Sequence, residues 1–116
     1  MKYTVDKVIS AKKGDKEAFS QLYEEIGLDL YKMAVYTLGN KDDAEDVVLE
    51  TVEAAYKGIK SLRDPNRFGA WIMKILSNKC KAKIREYVRQ SAYPQTDACD
   101  ASLSAWLARN FRLQSE

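Results

Sequence analysis

DDAEDVVLETVEAAYKGI, residues 42–59, decides the fold. Its apolar positions are Ala44, Val47, Val48, Thr51, Val52, Ala55 and Ile59, and the same phase reaches Leu62. Counted from Ala44 the steps are +3, +4, +7, +8, +11, +15 and +18, which is one stripe of a helix with 3.6 residues per turn. Acidic residues open the segment, where the positive end of a helix dipole favours them, and Asp42 or Asp43 is the expected cap. Arg63-Asp64-Pro65-Asn66 then breaks the period. Pro65 at a first helical position, with Asp64 as cap, predicts a second helix. That helix reads FGAWIMKILSNKCKAKIREYVR over residues 68–89. Phe68, Trp71, Ile72, Ile75 and Leu76 form its expected core face, extended by Ile84, Tyr87 and Val88.

The same period runs toward the N-terminus. Val5, Val8 and Ile9 mark a short helix that stops near Gly14, a residue suited to the left-handed position after a helix. Asp15 caps a helix through Ala18, Phe19, Leu22, Tyr23 and Ile26. Gly27 is expected to interrupt it. Leu30, Tyr31, Ala34, Val35 and Leu38 then continue to a stop at Gly39-Asn40. No alternation of period two is sustained anywhere. The expectation is an all-α, compact bundle of four or five short helices with a C-terminal tail. Residues 1–89 form the domain, and residues 90–116 form a linker followed by a short helix-period stretch, Leu103, Trp106, Leu107 and Phe111.

Composition narrows the class. The 116 residues suffice for one domain with a modest core. No apolar run approaches the roughly 18 residues of a membrane span. The start, MKYTVDKVISAKKGD, has no apolar leader core, so a cytoplasmic protein is expected. Two cysteines, Cys80 and Cys99, without a CxxC pair and without any histidine, argue against a disulfide framework, a zinc site and the commonest general base. The net charge of +2 conceals an asymmetry. Residues 1–56 hold seven Lys/Arg against twelve Asp/Glu, whereas residues 57–116 hold twelve against five. Such a split suggests two partners, one of them a polyanion.

Two clusters carry the chemistry. Asp43, Asp46, Glu50 and Glu53 recur about one turn apart, opposite the apolar stripe. They are either a solvated helix face or a dock for a basic helical partner. Lys74, Lys79, Lys81, Lys83, Arg85 and Arg89 follow the aromatic pair Phe68 and Trp71. That stretch suits phosphate contact with base stacking, although the aromatics are in phase with the core and basic helices also bind proteins and membranes. Membrane binding fits poorly, because the lysines of residues 79–89 leave no wide apolar face. No phosphate-cradling glycine loop, paired metal ligands or catalytic constellation emerges, so neither an enzyme nor a cofactor is expected.

Three blocks together carry a resemblance: AKKGDKEAFSQLYEE, LYKMAVYTLGNKDDAEDVVLETVEAAYKGIKSL and RFGAWIMKILSNKCKAKIRE. In this order they resemble the second conserved region of extracytoplasmic-function sigma factors, over about residues 5–89. The resemblance implies a helical domain that binds core RNA polymerase and opens promoter DNA at the minus-ten element. It puts the dock for the clamp coiled coil of the largest polymerase subunit at Asp43, Asp46 and Glu50, with Leu49 and Glu53 on the same helix. It puts a flipped base of the non-template strand at the loop Arg63 to Arg67, which includes Asn66. Phe68, Trp71, Lys74, Asn78, Lys79, Lys81, Lys83, Arg85 and Arg89 then follow the strand and its phosphates.

Three departures stand out. Leu49 replaces a glutamine frequent in the family, and Ala82 replaces a common aspartate. Residues 90–116 are too few for the family's second domain, the helix-turn-helix that reads the minus-thirty-five element. The expectations are a truncated factor, half of a split factor whose partner subunit binds that element, or a degenerate product. The rival functions are an interaction module that occupies polymerase or an anti-sigma factor without recognising promoters, and a duplex-binding helical regulator.

Overall fold

The computed structural model describes residues 1–91. The expected linker and the Leu103–Phe111 stretch, with Cys99, lie outside the described residues. Four α-helices are present among those described: α1 Val5–Lys12, α2 Lys16–Leu38, α3 Lys41–Gly58 and α4 Phe68–Ser91. Two short 3-10 turns, Ile59–Ser61 and Pro65–Arg67, bridge α3 to α4. The expected all-α bundle is observed. Helix α2 is its centre and packs against α1, α3 and α4, while α3 also packs on α4.

The core follows the predicted helical stripes in part: Ile9 and Tyr23 are exposed, Tyr31, Val35, Val52, Trp71, Ile75 and Tyr87 are only partly buried, and Cys80, not expected there, is buried. Leu22, Ile26, Leu30, Ala34 and Leu38 of α2 are all buried. They meet Ala44, Val47, Val48 and Ala55 of α3, and Phe68, Ile72, Leu76, Cys80, Ile84 and Val88 of α4. The α4 series has a strict spacing of four, so it winds slowly around the helix and follows its neighbours over five turns. Thr51 is the one buried polar side chain among the described residues; its hydroxyl donates to the Val47 carbonyl at 2.8 Å, which removes the cost of burying it.

The caps correct two local expectations. Gly27 does not interrupt α2, which is continuous from Lys16 to Leu38. The buried stripe keeps its phase across Gly27, and packing outweighs the roughly 1 kcal/mol helix penalty of glycine. The missing Cβ is used instead: one built there would lie 3.0 Å from Tyr23 Cε1. Helix α3 is capped by Asn40, not by Asp42 or Asp43. The Asn40 Oδ1 accepts from the Asp43 N–H at 3.0 Å, and both aspartates fall in the first turn, where the dipole favours them. Asp15 caps α2 as expected, accepting from the Ala18 N–H at 3.2 Å. Gly14 and Gly39 take the left-handed conformations, φ 100° and 69°, that the stops require. Pro65 follows the Asp64 cap as expected but opens a single 3-10 turn, and the α-helix proper begins at Phe68.

Candidate functional site

Helix α3 turns its acidic residues outward. Asp46, Glu50 and Glu53 are exposed, as is Leu49, with 62% of its surface open. Asp43 departs from that group. It is only partly exposed, and its carboxylate accepts a hydrogen bond from the Tyr87 hydroxyl of α4. Burial, and then the Asp43 carboxylate, push the Tyr87 phenol well above its ordinary value. Asp43 therefore ties the start of α3 to the end of α4, and the open acidic surface is Asp46, Glu50 and Glu53. Lys57 donates to Glu53 at 2.9 Å and, with Lys79 beyond it, holds that carboxyl below its usual range. On its other side Leu49 borders a depression of about 560 Å³ between α2 and α3, lined also by Tyr23, Tyr31, Glu45 and Val48.

The loop ahead of α4 is held by Asp64, the expected cap, and by Tyr3, which no sequence pattern singles out. Asp64 Oδ1 accepts from the Asn66 backbone at 3.0 Å and from Asn66 Nδ2 at 3.2 Å. The Tyr3 hydroxyl donates to the Asn66 carbonyl at 2.9 Å and accepts from the Gly69 N–H at 3.1 Å. One phenol at the chain's beginning thus pins both ends of the turn. A Cβ at Gly69 would stand 3.0 Å from the Tyr3 ring, so glycine permits that approach. Tyr3 is itself anchored through its neighbour Thr4, whose N–H and hydroxyl donate to Glu25 at 3.0 and 2.7 Å. These bonds, with Lys7 at 3.5 Å, lower the Glu25 carboxyl. The signal in the sequence was a lone tyrosine before α1, outside any periodic stripe, which is too little to reveal a contact 63 residues away.

The aromatic pair takes unequal places. Phe68 is fully buried, as its place in the expected core face required, so it does not lie along a nucleic-acid strand as the resemblance implied. It packs edge-on against Tyr3, with centroids 5.3 Å apart, and lies 6.1 Å from Trp71. Its phase on α4 puts it in the Ile72–Leu76 stripe, so it is core and supports the loop from beneath. Trp71 is partly buried, with its ring 3.6 Å from where a Gly58 Cβ would be.

Trp71 heads the outer stripe of α4: Lys74, Asn78, Lys81, Arg85 and Arg89 follow it at spacings of three and four, and all five are exposed. Arg63, Asn66 and Arg67 are exposed just before it. Lys79 and Lys83 are not on this stripe. Lys79 shares a shallow depression with Glu50, Glu53, Ala54 and Lys57, while Lys83 is largely covered and lies 3.8 Å from Glu86. The expected basic cluster is therefore two sets: a stripe led by Trp71, and two partly covered lysines off it, Lys79 near Glu50 and Glu53 and Lys83 paired with Glu86. Among the described residues no group of three metal-binding side chains occurs, and no helix is long and apolar enough to cross a membrane.

These features define a class: an all-helical domain with an open acidic face on one helix and an aromatic-led basic stripe on another. The Sigma-70 region 2 family matches residues 22–90, more than half of the chain, and the chain belongs to that family. It is similar to the ECF RNA polymerase sigma factor SigW of Bacillus subtilis, 30% identical over 80 residues that make up 69% of this chain and 43% of that protein. It is also similar to the ECF RNA polymerase sigma factor SigM of Mycobacterium tuberculosis, 30% identical over 81 residues, 70% of this chain and 40% of that one. A third relative, the ECF RNA polymerase sigma factor BldN of Streptomyces coelicolor, is 35% identical over 69 residues, 59% of this chain and 26% of its own. The chain thus spans about two fifths of the length of SigW and SigM. No solved structure matches it. Helix α1, with Tyr3 before it, precedes the span that the family matches.

Proposed function

We infer that this domain serves in bacterial transcription initiation, binding core RNA polymerase through α3 and the minus-ten element of the non-template strand through the 63–67 loop and α4. The observation that carries the reading is the separation of charge on a sigma region-two scaffold. Asp46, Glu50 and Glu53 stand open on α3, while Trp71, Lys74, Asn78, Lys81, Arg85 and Arg89 line α4. An acidic helix face suits a basic helical partner, where charge sets orientation and on-rate. The partner proposed is the clamp coiled coil of the largest subunit. Exposed Leu49 adds an apolar contact to that dock where relatives often use a glutamine.

The α4 stripe combines phosphate-seeking cations with one accessible indole. Stacking on an aromatic ring contributes about 1–3 kcal/mol per unpaired base, and an unpaired base is what a melted promoter presents. The pinned loop supplies a pre-ordered wall for that base, so less ordering is left to binding. The role is binding and strand separation, without covalent chemistry, and it is exercised in the cytoplasm where polymerase acts.

The test is capture of core polymerase by the chain, followed by transcription from a bubble template carrying a minus-ten strand. Capture with start-site-specific transcripts is expected. Capture without transcripts would replace this reading with an interaction module, either a decoy or one half of a split factor that needs a separate subunit for the minus-thirty-five element. No capture would remove the docking assignment.

A further inference from the structure

The depression between α2 and α3 holds chemistry that the acidic ribbon beside it lacks. It is lined by Tyr23 and Tyr31 of α2 and by Glu45, Val48 and Leu49 of α3. The two tyrosines are eight residues apart on α2, with Gly27 midway between them. The Tyr23 ring covers Gly27, where a Cβ would stand 3.0 Å from Cε1 and 3.4 Å from Cζ. Glycine thus lets the ring lie across the turn that leads to Tyr31. Tyr23 keeps 37% of its surface open, and Glu45 is exposed. Among the described residues the Glu45 carboxylate has no ion-pair or hydrogen-bond partner, and neither the Tyr23 nor the Tyr31 hydroxyl has one. Even Lys41, one turn earlier on α3, leaves Glu45 unpaired.

Two aromatic rings and an unpaired carboxylate beside an apolar floor fit one kind of side chain. A guanidinium is planar and always charged, stacks on aromatic rings, and pairs with a carboxylate through two parallel donors. The aliphatic stem behind it packs on apolar surface, here Val48 and Leu49. Glu45 and Leu49 are four residues apart on α3, about 6 Å along its axis, so a long stem lying on Leu49 brings its head to Glu45. A wholly apolar occupant would take water from the Glu45 carboxylate and give nothing back. An ammonium has the charge but not the flat face. The depression is also continuous with the acidic face. Leu49 borders it, and Asp46 and Glu50 stand exposed on either side of Leu49 in the sequence of the same helix. A basic helix lying along α3 therefore passes over it.

We propose that the Tyr23–Tyr31–Glu45 depression takes an arginine side chain of the helical partner that docks on α3. The assignment rests on the docking reading above and names the partner side chain that this reading leaves open. Two measurements on the full chain test it. The first needs no polymerase: N-acetyl-arginine methylamide is titrated into the protein while the tyrosine ring signals are followed by NMR. The Tyr23 and Tyr31 rings are expected to shift together, and Glu45→Gln to weaken the response. Rings that do not move, or that move equally with the leucine analogue, overturn the proposal. The second is competition for core polymerase. Glu45→Gln and Tyr23→Leu are each expected to weaken binding about three- to tenfold, with thermal unfolding of the exposed Glu45→Gln variant unchanged. If both bind like the parent while Asp46→Arg with Glu50→Arg does not, the arginine pocket is wrong and the α3 dock stands. If that double variant also binds fully, the docking reading fails and takes the proposal with it.

Discussion

Replacing Tyr3 with Phe removes one oxygen and leaves the ring against Phe68. Two hydrogen bonds go with it: the one donated to the Asn66 carbonyl at 2.9 Å and the one accepted from the Gly69 N–H at 3.1 Å. A protein hydrogen bond contributes about 0.5–1.5 kcal/mol net. The Asn66 carbonyl is exposed and regains water, so its loss falls at the low end. The Gly69 N–H is partly buried and loses more. The expected destabilisation is about 1.5 kcal/mol, or roughly 6–12 °C in Tm for a domain of this size. Urea denaturation of Tyr3→Phe against the parent chain measures it. The functional consequence follows from position, because Asn66 and Gly69 flank the turn proposed to wall in an unpaired base. If binding demands that turn in its present shape, the same 1.5 kcal/mol appears as about tenfold weaker binding to a minus-ten single strand, read by fluorescence anisotropy. Binding to core polymerase should not change, since α3 is untouched. A stability loss below about 0.3 kcal/mol would refute the pinning argument. The full stability loss with unaltered strand affinity would refute the loop's role in binding while leaving its structural account intact.

Three further outcomes are expected. Asp46→Arg combined with Glu50→Arg should leave stability within about 0.5 kcal/mol, because both side chains are exposed, yet lower affinity for core polymerase at least tenfold in a competition assay; full retention would discard the α3 dock. Phe68→Ala should cost about 3–5 kcal/mol of folding stability as a core cavity, whereas Trp71→Ala should fold and lose about 1–3 kcal/mol of single-strand binding; equal effects in both assays would contradict their assigned places. Burial raises the Cys80 thiol from 9.0 to about 11. The unfolded chain therefore loses that proton first, and stability should fall by about 2–3 kcal/mol as pH rises from 9 to 11. Cys80→Ala should flatten this part of an alkaline denaturation profile, and an unchanged slope would exclude the thiol as its source.

Much of this molecule was legible from the order of residues alone. The stripe from Ala44 to Leu62, the apolar face that begins at Phe68, Ile72 and Leu76, and the stops at Gly14 and Gly39 are local patterns, and local geometry fixes them. The acidic run of α3 and the basic run of α4 were visible for the same reason. Gly27 was misread because a glycine signals a break by propensity, while the decision belonged to packing on both sides of it. The cap of α3 shows a similar limit: Asp42 and Asp43 were the expected candidates, and Asn40, read as part of the preceding stop, lies within the two or three residues that the period cannot resolve.

What only the tertiary structure decided is which of these residues are free. Phe68 and Trp71 are three apart and look equivalent as letters; the winding of the core stripe buries the first and leaves the second partly open. Asp43 reads like Asp46 until Tyr87, 44 residues away, engages its carboxylate. Lys79 and Lys83 read like Lys81 until packing covers them in part, Lys79 beside α3 and Lys83 against Glu86. Tyr3 had no visible role, because its partners are more than 60 residues distant. Periodicity along one helix specifies which face is apolar, and the sequence determined that much. Whether a polar or aromatic side chain on the remaining face meets solvent or a neighbour depends on where the other helices lie, and only their packing decided it.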